Sequence, residues 1–240
     1  MNIVAISGGE IRNNDTLTFD KLNVDLVGKS KVNFLFIPTA SYDSIDYCKA
    51  IHDLYSKKLG CNVDNLFLTK TNVPEEIIDD KIYNADIVYV GGGNTFYLMQ
   101  CWKKHNLINK LRNLVKTNKV LTGLSAGAIC WHEYGHSDSR KSKYSNYIKV
   151  KTLGIKPGIF CPHLDSEQRE NDFIHKIVGT KLIGFGCDDK TALWYTDNNR
   201  IIVKTDDKKL KIKKMVSIDR TIHIEEYRNN EEIRLTNSST

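Results

Sequence analysis

Two runs in the chain, Asn33-Phe34-Leu35-Phe36-Ile37 and Asp86-Ile87-Val88-Tyr89-Val90, are apolar on both of the faces that a strand presents. A strand with no wet face has to be covered on both sides, which is the condition of a parallel strand inside a layer of helices. Other short apolar runs recur along the chain with helical stretches between them. Strands are expected at 2–6, 32–37, 63–68, 86–90, 119–123, 158–161, 182–186 and 191–195, and helices at 41–58, 74–82, 95–103, 105–116, 126–133 and 166–178. This alternation predicts an α/β fold with a mostly parallel sheet sandwiched by helices. From Thr191 onward the pattern changes to short strand-like runs at 191–195, 200–204, 209–216 and 221–226, separated by turns such as Asp197-Asn198-Asn199. The reading is one domain over 1–240, in which about 196–240 form an antiparallel strand extension and a tail that frays at Asn237–Thr240.

No internal repeat, low-complexity segment or Pro/Gly-rich linker interrupts the chain, and four prolines in 240 residues argue against disorder. Hydrophobic residues make up 40% and charged residues 27%, as in ordinary water-facing globular proteins. Much of the excess behind the net charge of +6 sits late, in Lys204, Lys208, Lys209, Lys211, Lys213 and Lys214. In Lys209-Leu210-Lys211-Ile212-Lys213 the lysines alternate with apolar residues, which describes a solvated strand edge protected from aggregation. No nucleic-acid motif or aromatic platform accompanies them, so no nucleic-acid partner is expected. The segment Met1–Gly9 has neither the basic region nor the long apolar core of a signal peptide. No run reaches the roughly 18 apolar residues of a membrane span. The six scattered cysteines form no C-x-x-C pair and are read as reduced thiols, so the expected location is cytoplasmic, with no membrane partner.

Four motifs follow predicted strands, where open α/β sheets build their sites. The first is Gly123-Leu124-Ser125-Ala126-Gly127, a G-x-S-x-G sequence between an apolar run and a helical segment. Such a turn pushes the serine hydroxyl out at the top of the sheet, and the Ala126 N–H points the same way. The alternative is a glycine-rich connection around a buried serine. The second is Gly91-Gly92-Gly93-Asn94-Thr95, where a glycine N–H offers a second oxyanion donor and Asn94 or Thr95 caps the next helix. Asn94 is also a candidate substrate contact. A phosphate cradle is the competing reading, but neither the P-loop ending nor the dinucleotide spacing is present.

The third motif is Cys161-Pro162-His163-Leu164-Asp165. Of the seven histidines, His163 alone sits at a strand end on a separate βα connection, which suits a general base. His132 and His136 follow Ser125 too closely to return to its hydroxyl. The fourth is Cys187-Asp188-Asp189-Lys190-Thr191, where a carboxylate can orient His163. The order Ser125, His163, Asp189 places every member at a strand end. The order of an α/β-hydrolase would require the mid-strand His223. No spacing typical of a metal site is present, and no metal or cofactor is expected.

Taken in order, Val90–Phe96, Gly123–Ala128, Pro162–Asp165 and Gly186–Leu193, with Ile37-Pro38-Thr39-Ala40, resemble peptidase E, the alpha-aspartyl dipeptidase family of serine peptidases related to cyanophycinases. The resemblance covers most of residues 1–195. It implies a fold similar to class I glutamine amidotransferases with serine replacing the nucleophilic cysteine, and cytosolic hydrolysis of short peptides with an N-terminal aspartate. By position it implies Ser125 as nucleophile, His163 as base, Asp189 as the carboxylate, and Gly92 and Ala126 as oxyanion donors. Asp188 and Asp138 remain alternatives for the acid. Arg169 resembles the family's arginine after the histidine and is a candidate ligand for the aspartyl side chain, since its fork matches a carboxylate. The segment Gly135–Ser145, with Arg140, Lys141 and Lys143, is an alternative cationic patch. Other readings are an esterase or amidase with the same triad, or a non-catalytic binder of small acidic ligands. The chain is expected to be a monomer or homodimer.

Overall fold

The computed structural model of the chain describes residues 1–70, 72–140 and 146–235. Lys141 and Lys143 of the alternative cationic patch, and the tail at 237–240, lie outside the described residues. The first half alternates as expected: β1 (Asn2–Ile6), α1 (Leu17–Asp25), β2 (Asn33–Ile37), α2 (Ile45–Ile51), β3 (Asn62–Asn65), α3 (Glu75–Asn84) and β4 (Ile87–Val90). Then come α4 (Thr95–Lys104), α5 (Leu107–Asn113), β5 (Val120–Leu124) and the short α6 (Ala126–Ile129). The second half holds β6 (His132–Ser137), β7 (Ile148–Lys151), β8 (Lys156–Cys161), α7 (Glu167–Ile177), β9 (Gly184–Cys187) and β10 (Thr191–Tyr195). It ends with β11 (Ile201–Thr205), β12 (Ile212–Ile218), β13 (Thr221–Tyr227) and β14 (Glu232–Ile233).

These strands form two mixed sheets rather than one mostly parallel sheet. The described residues give an eight-stranded sheet in the order β14-β11-β10-β1-β5-β4-β2-β3 and a six-stranded sheet in the order β13-β12-β9-β8-β6-β7. In the larger sheet β1, β5, β4, β2 and β3 are parallel, while β10, β11 and β14 add on antiparallel beside β1. In the smaller sheet only β6, β8 and β9 are parallel. The C-terminal strands therefore do not extend one sheet: β11 and β14 complete the first, β12 and β13 the second.

The division follows from burial. One face of the larger sheet, with Val4, Ile6, Phe34, Phe36, Ile87 and Tyr89, packs against α1 and α2. The other face, with Ile3, Leu35, Val88 and Leu121, shares one apolar core with α3–α6 and with Phe160 and Phe185 of the smaller sheet. Ile159, Cys161 and Met215 on the far face of that sheet pack under Phe173 and Ile177 of α7. The runs apolar on both faces are thus covered on both faces, as required.

Three differences from the expected elements have physical causes. The predicted helix 126–133 stops at Ile129, and β6 begins at His132. β6 pairs with β8 and β7, so its hydrogen bonds are satisfied by strands that sequence periodicity alone does not bring near. Helix α1 was not expected, because its inward face mixes polar with apolar residues: Asp20 and Asn23 are fully buried beside Phe19. Asp20 accepts hydrogen bonds from the hydroxyls of Tyr55 (2.6 Å) and Thr16 (2.7 Å), which replace the apolar stripe that marks most helices. Among the described residues, no helix is long and apolar enough to cross a membrane.

Candidate active site

The loops after β1, β4, β5, β8 and β9 converge at one place, with strand ends from both sheets. Ser125 sits between β5 and α6 with φ 53° and ψ −107°, a left-handed backbone that a non-glycine residue rarely adopts. The elbow is pinned: Ser125 N–H donates to the Ile6 carbonyl (2.9 Å), and the Ser125 carbonyl accepts from Ala128 and Ile129 (2.9 Å each). Close approach explains the flanking glycines. A Cβ at Gly127 would lie 1.9 Å from the Val90 carbonyl oxygen, and one at Gly123 would lie 2.6 Å from Gly127.

Ser125 Oγ lies 2.9 Å from His163 Nε2. His163 is itself left-handed, with φ 55°, at the end of β8. Its Nδ1 is hydrogen-bonded to Asp189 Oδ1. The three side chains expected to act together are therefore in contact in series. Of the candidate acids, Asp189 is the one in contact with the imidazole. Asp188 turns the other way and accepts from the Lys211 N–H (3.2 Å), and burial raises its pKa. Asp138 is exposed at the end of β6. Asp165 accepts the Asp189 N–H at 3.0 Å and so fixes the loop that carries the acid.

Two supports were missed in the sequence. Fully buried Ser7, at the end of β1, accepts the His163 N–H (3.0 Å) and donates to the Cys187 carbonyl (2.8 Å), tying β8 and β9 to the larger sheet. At Gly8 an added Cβ would lie 1.9 Å from Asp189 Oδ1 and 2.5 Å from His163 Cε1. The glycine leaves the space that the acid and imidazole occupy. The signal was present as Ser7-Gly8-Gly9 directly after the first strand, the position where α/β folds build sites.

Gly92 follows β4 and lies against the serine; a Cβ there would be 3.5 Å from Ser125 Cβ. Its N–H donates to the Tyr47 hydroxyl at 3.2 Å, so to serve an oxyanion it has to release or share that bond. Ala126 begins α6 beside Ser125. Asn94 caps α4: its side-chain oxygen accepts from Tyr97 N–H (2.8 Å) and its amide nitrogen donates to the Ser139 carbonyl (3.4 Å). Both ends of that side chain are engaged in holding the glycine turn.

Arg169 lies in the first turn of α7 and is only 7% exposed. Its guanidinium stacks 4.9 Å over the Tyr147 ring, and its Nε has no hydrogen-bond partner. Beside it, His136 Nε2 bonds Asp172 (2.8 Å) and His136 Nδ1 meets Cys161 Sγ (3.3 Å). Burial lowers the His136 pKa to about 4, so the ring is neutral at pH 7, donating to Asp172 and accepting from the thiol. His132 bonds the Ala128 carbonyl (3.1 Å) and the Tyr195 hydroxyl (2.7 Å). Neither histidine faces Ser125, and both are held away from it by a strand rather than by a helix. Arg140 of the alternative cationic patch is stacked 4.4 Å over Phe96.

A serine on a strained elbow, in series with a histidine and a carboxylate across two packed mixed sheets, describes an α/β protein of hydrolase type. The model of peptidase family S51 matches residues 3–203, and the chain belongs to that family. It is 34% identical over 199 residues to the uncharacterized peptidase YgaJ of Bacillus subtilis, covering 82% of this chain and 84% of YgaJ. It is 30% identical over 131 residues to peptidase E of Haemophilus influenzae, covering 53% of this chain and 57% of that one. Among solved structures, a peptidase from an acI-B1 Actinobacterium superposes with a TM-score of 0.72 at 20% identity, over 97% of this chain and 96% of that one. A putative peptidase E from Listeria monocytogenes superposes with a TM-score of 0.64 at 20% identity, over 86% and 98%.

Proposed function

We propose that this member of a peptidase family is a serine-type dipeptidase that hydrolyses short peptides with an N-terminal aspartate through an acyl-enzyme on Ser125. The observation that carries the reading is the series Ser125 Oγ, His163, Asp189, with Oγ 2.9 Å from Nε2 and the carboxylate on Nδ1. In the proposed reaction His163 takes the hydroxyl proton while Oγ attacks the scissile carbonyl. Asp189 holds the Nδ1–H tautomer and stabilises the imidazolium. The oxyanion is received by the N–H groups of Ala126 and Gly92, the latter once released by Tyr47. His163 then protonates the leaving amine, and water, activated by the same imidazole, frees the acyl group.

Arg169 supports the aspartate preference. A buried guanidinium with an unpartnered Nε is a costly arrangement that a ligand carboxylate relieves with charge-assisted hydrogen bonds. Asn94 acts in this reading by fixing the Gly91–Gly93 turn. A fold similar to class I glutamine amidotransferases, a cytoplasmic location and a monomeric or homodimeric state belong to the same proposal. The six cysteines, all buried and free, support the reducing compartment.

The test is hydrolysis of Asp-Leu, Ala-Leu and Glu-Leu by the wild type and by Ser125→Ala, in EDTA. Cleavage of Asp-Leu is expected at least tenfold above the other two, and a loss in kcat of about 10⁴-fold or more in the variant. Full activity in Ser125→Ala overturns the serine mechanism. Equal cleavage of all three peptides overturns the acidic pocket.

A further inference from the structure

The serine has a second flank. Beside the serine loop lies a cleft of about 320 Å³ whose lining includes Gly9, Glu10, Arg12, Tyr47, Gly92 and Leu124. Its wall is made in part by the loops that flank the reacting residues. Gly92 stands beside Ser125, and Gly8, next to the Gly9 wall, is packed against the His163 ring.

Arg12 is the notable charge there. It sits on the 3-10 turn Ile11–Asn13 that follows β1. One guanidinium nitrogen donates to the Asp46 backbone carbonyl at 3.2 Å, which holds the side chain over the cleft. Among the described residues Arg12 forms no ion pair, although acids surround it. Glu10 uses a carboxylate oxygen to accept the Arg12 backbone N–H (3.2 Å). Asp15 pairs with Lys190 (2.9 Å), and Asp46 turns its carboxylate to Lys49 (3.6 Å). An anchored arginine that its acidic neighbours leave unpaired retains donors for an incoming anion.

We propose that Arg12 binds the free C-terminal carboxylate of the leaving residue, and so makes the enzyme prefer dipeptides to longer chains. The inference rests on the function proposed above. In this reading Arg169 holds the side chain of the acyl residue, and the leaving residue occupies the cleft beside Gly92. In a dipeptide that residue ends in a carboxylate, which the guanidinium fork meets with charge-assisted bonds. In a longer peptide the same position is a neutral amide and the charge assistance is lost.

The experiment compares Asp-Leu, Asp-Leu amide and Ala-Leu as substrates for the wild type, Arg12→Ala and Arg12→Lys. The wild type is expected to favour Asp-Leu over its amide by about 10- to 100-fold in kcat/KM, mostly through KM. In Arg12→Ala the acid-to-amide ratio falls to about one, while the Asp-Leu to Ala-Leu ratio is kept; Arg12→Lys restores part of the first ratio. A wild type that cleaves the acid and the amide equally overturns this inference and leaves the proposed function standing. So does an Arg12→Ala enzyme that keeps the acid-to-amide ratio. If Arg12→Ala instead loses the Asp-Leu to Ala-Leu ratio, Arg12 serves the acyl side and the assignment is reversed. A wild type that cleaves no aspartyl substrate overturns the proposed function and this inference with it.

Discussion

Asp188 and Asp189 are neighbours in sequence and face opposite ways. Asp189 reaches the imidazole, whereas Asp188 is half-buried against the start of β12, where it accepts a backbone N–H. The sequence showed two acids at the right strand end and no means of choosing between them. The choice is made by Lys190, whose left-handed φ of 58° and bond to the Gly8 carbonyl (3.1 Å) set the turn. Asp189→Asn is expected to lower kcat by between about 10² and 10⁴-fold, because the histidine loses its tautomer and its countercharge. Asp188→Asn is expected to stay within about tenfold of the wild type. Steady-state kinetics on Asp-Leu would reverse the assignment if Asp188→Asn were the more damaged variant. Ser7 and Gly8 were not legible as site residues, since their role is to join and clear space for side chains more than 150 positions away, at 163 and 189.

At the scale of the element, the elbow was the most legible part of the chain. Its glycines at 123 and 127 are required by packing of β5 and α6 against β4, which a five-residue pattern encodes locally. Gly127→Ala places a methyl against the Val90 carbonyl, and neither backbone can yield without parting β4 from α6. The expected cost is about 1–3 kcal/mol, lowering Tm by on the order of 5 °C, together with loss of activity as Ser125 is displaced. A thermal melt that matches the wild type would show that the elbow has more room than described. α1 and β6 were illegible for the same reason. The helix hides Asp20, whose carboxylate is satisfied by Tyr55 and Thr16. The strand carries His132 and His136 inward, and both look surface-like until Tyr195, Cys161 and Asp172 arrive from distant parts of the chain.

Across the whole molecule, three buried titratable groups act on stability with opposing signs. Burial lowers the pKa of His132 to about 3 and of His136 to about 4, below the ordinary histidine value, and so favours their neutral forms. Their contribution is present above the unfolded value of about 6.5 and is lost as pH falls toward those folded values. Burial raises the Asp20 carboxyl to about 6, so its contribution is present below the unfolded value of about 3.9 and is lost as pH rises through 6. Between pH 4 and 6 the unfolded chain binds the two histidine protons and the folded chain binds the aspartic one. The net from these groups is one proton, a rise of about 1.4 kcal/mol per pH unit. Asp20→Asn removes the opposing group, and the slope from the two histidines alone becomes about 2.7 kcal/mol per unit. Denaturant unfolding of both proteins at pH 4, 5 and 6 checks this, and parallel curves would refute it. By itself the sequence determined the alternation of strand and helix, the serine elbow and the set of residues at the strand ends, because period and turn chemistry are local. The tertiary structure alone decided the division into two sheets, the acid that meets His163, the burial of Arg169 beside an unfilled hydrogen bond, and the cleft under Arg12. Each of these depends on which distant strands share a core, and local periodicity carries no record of that.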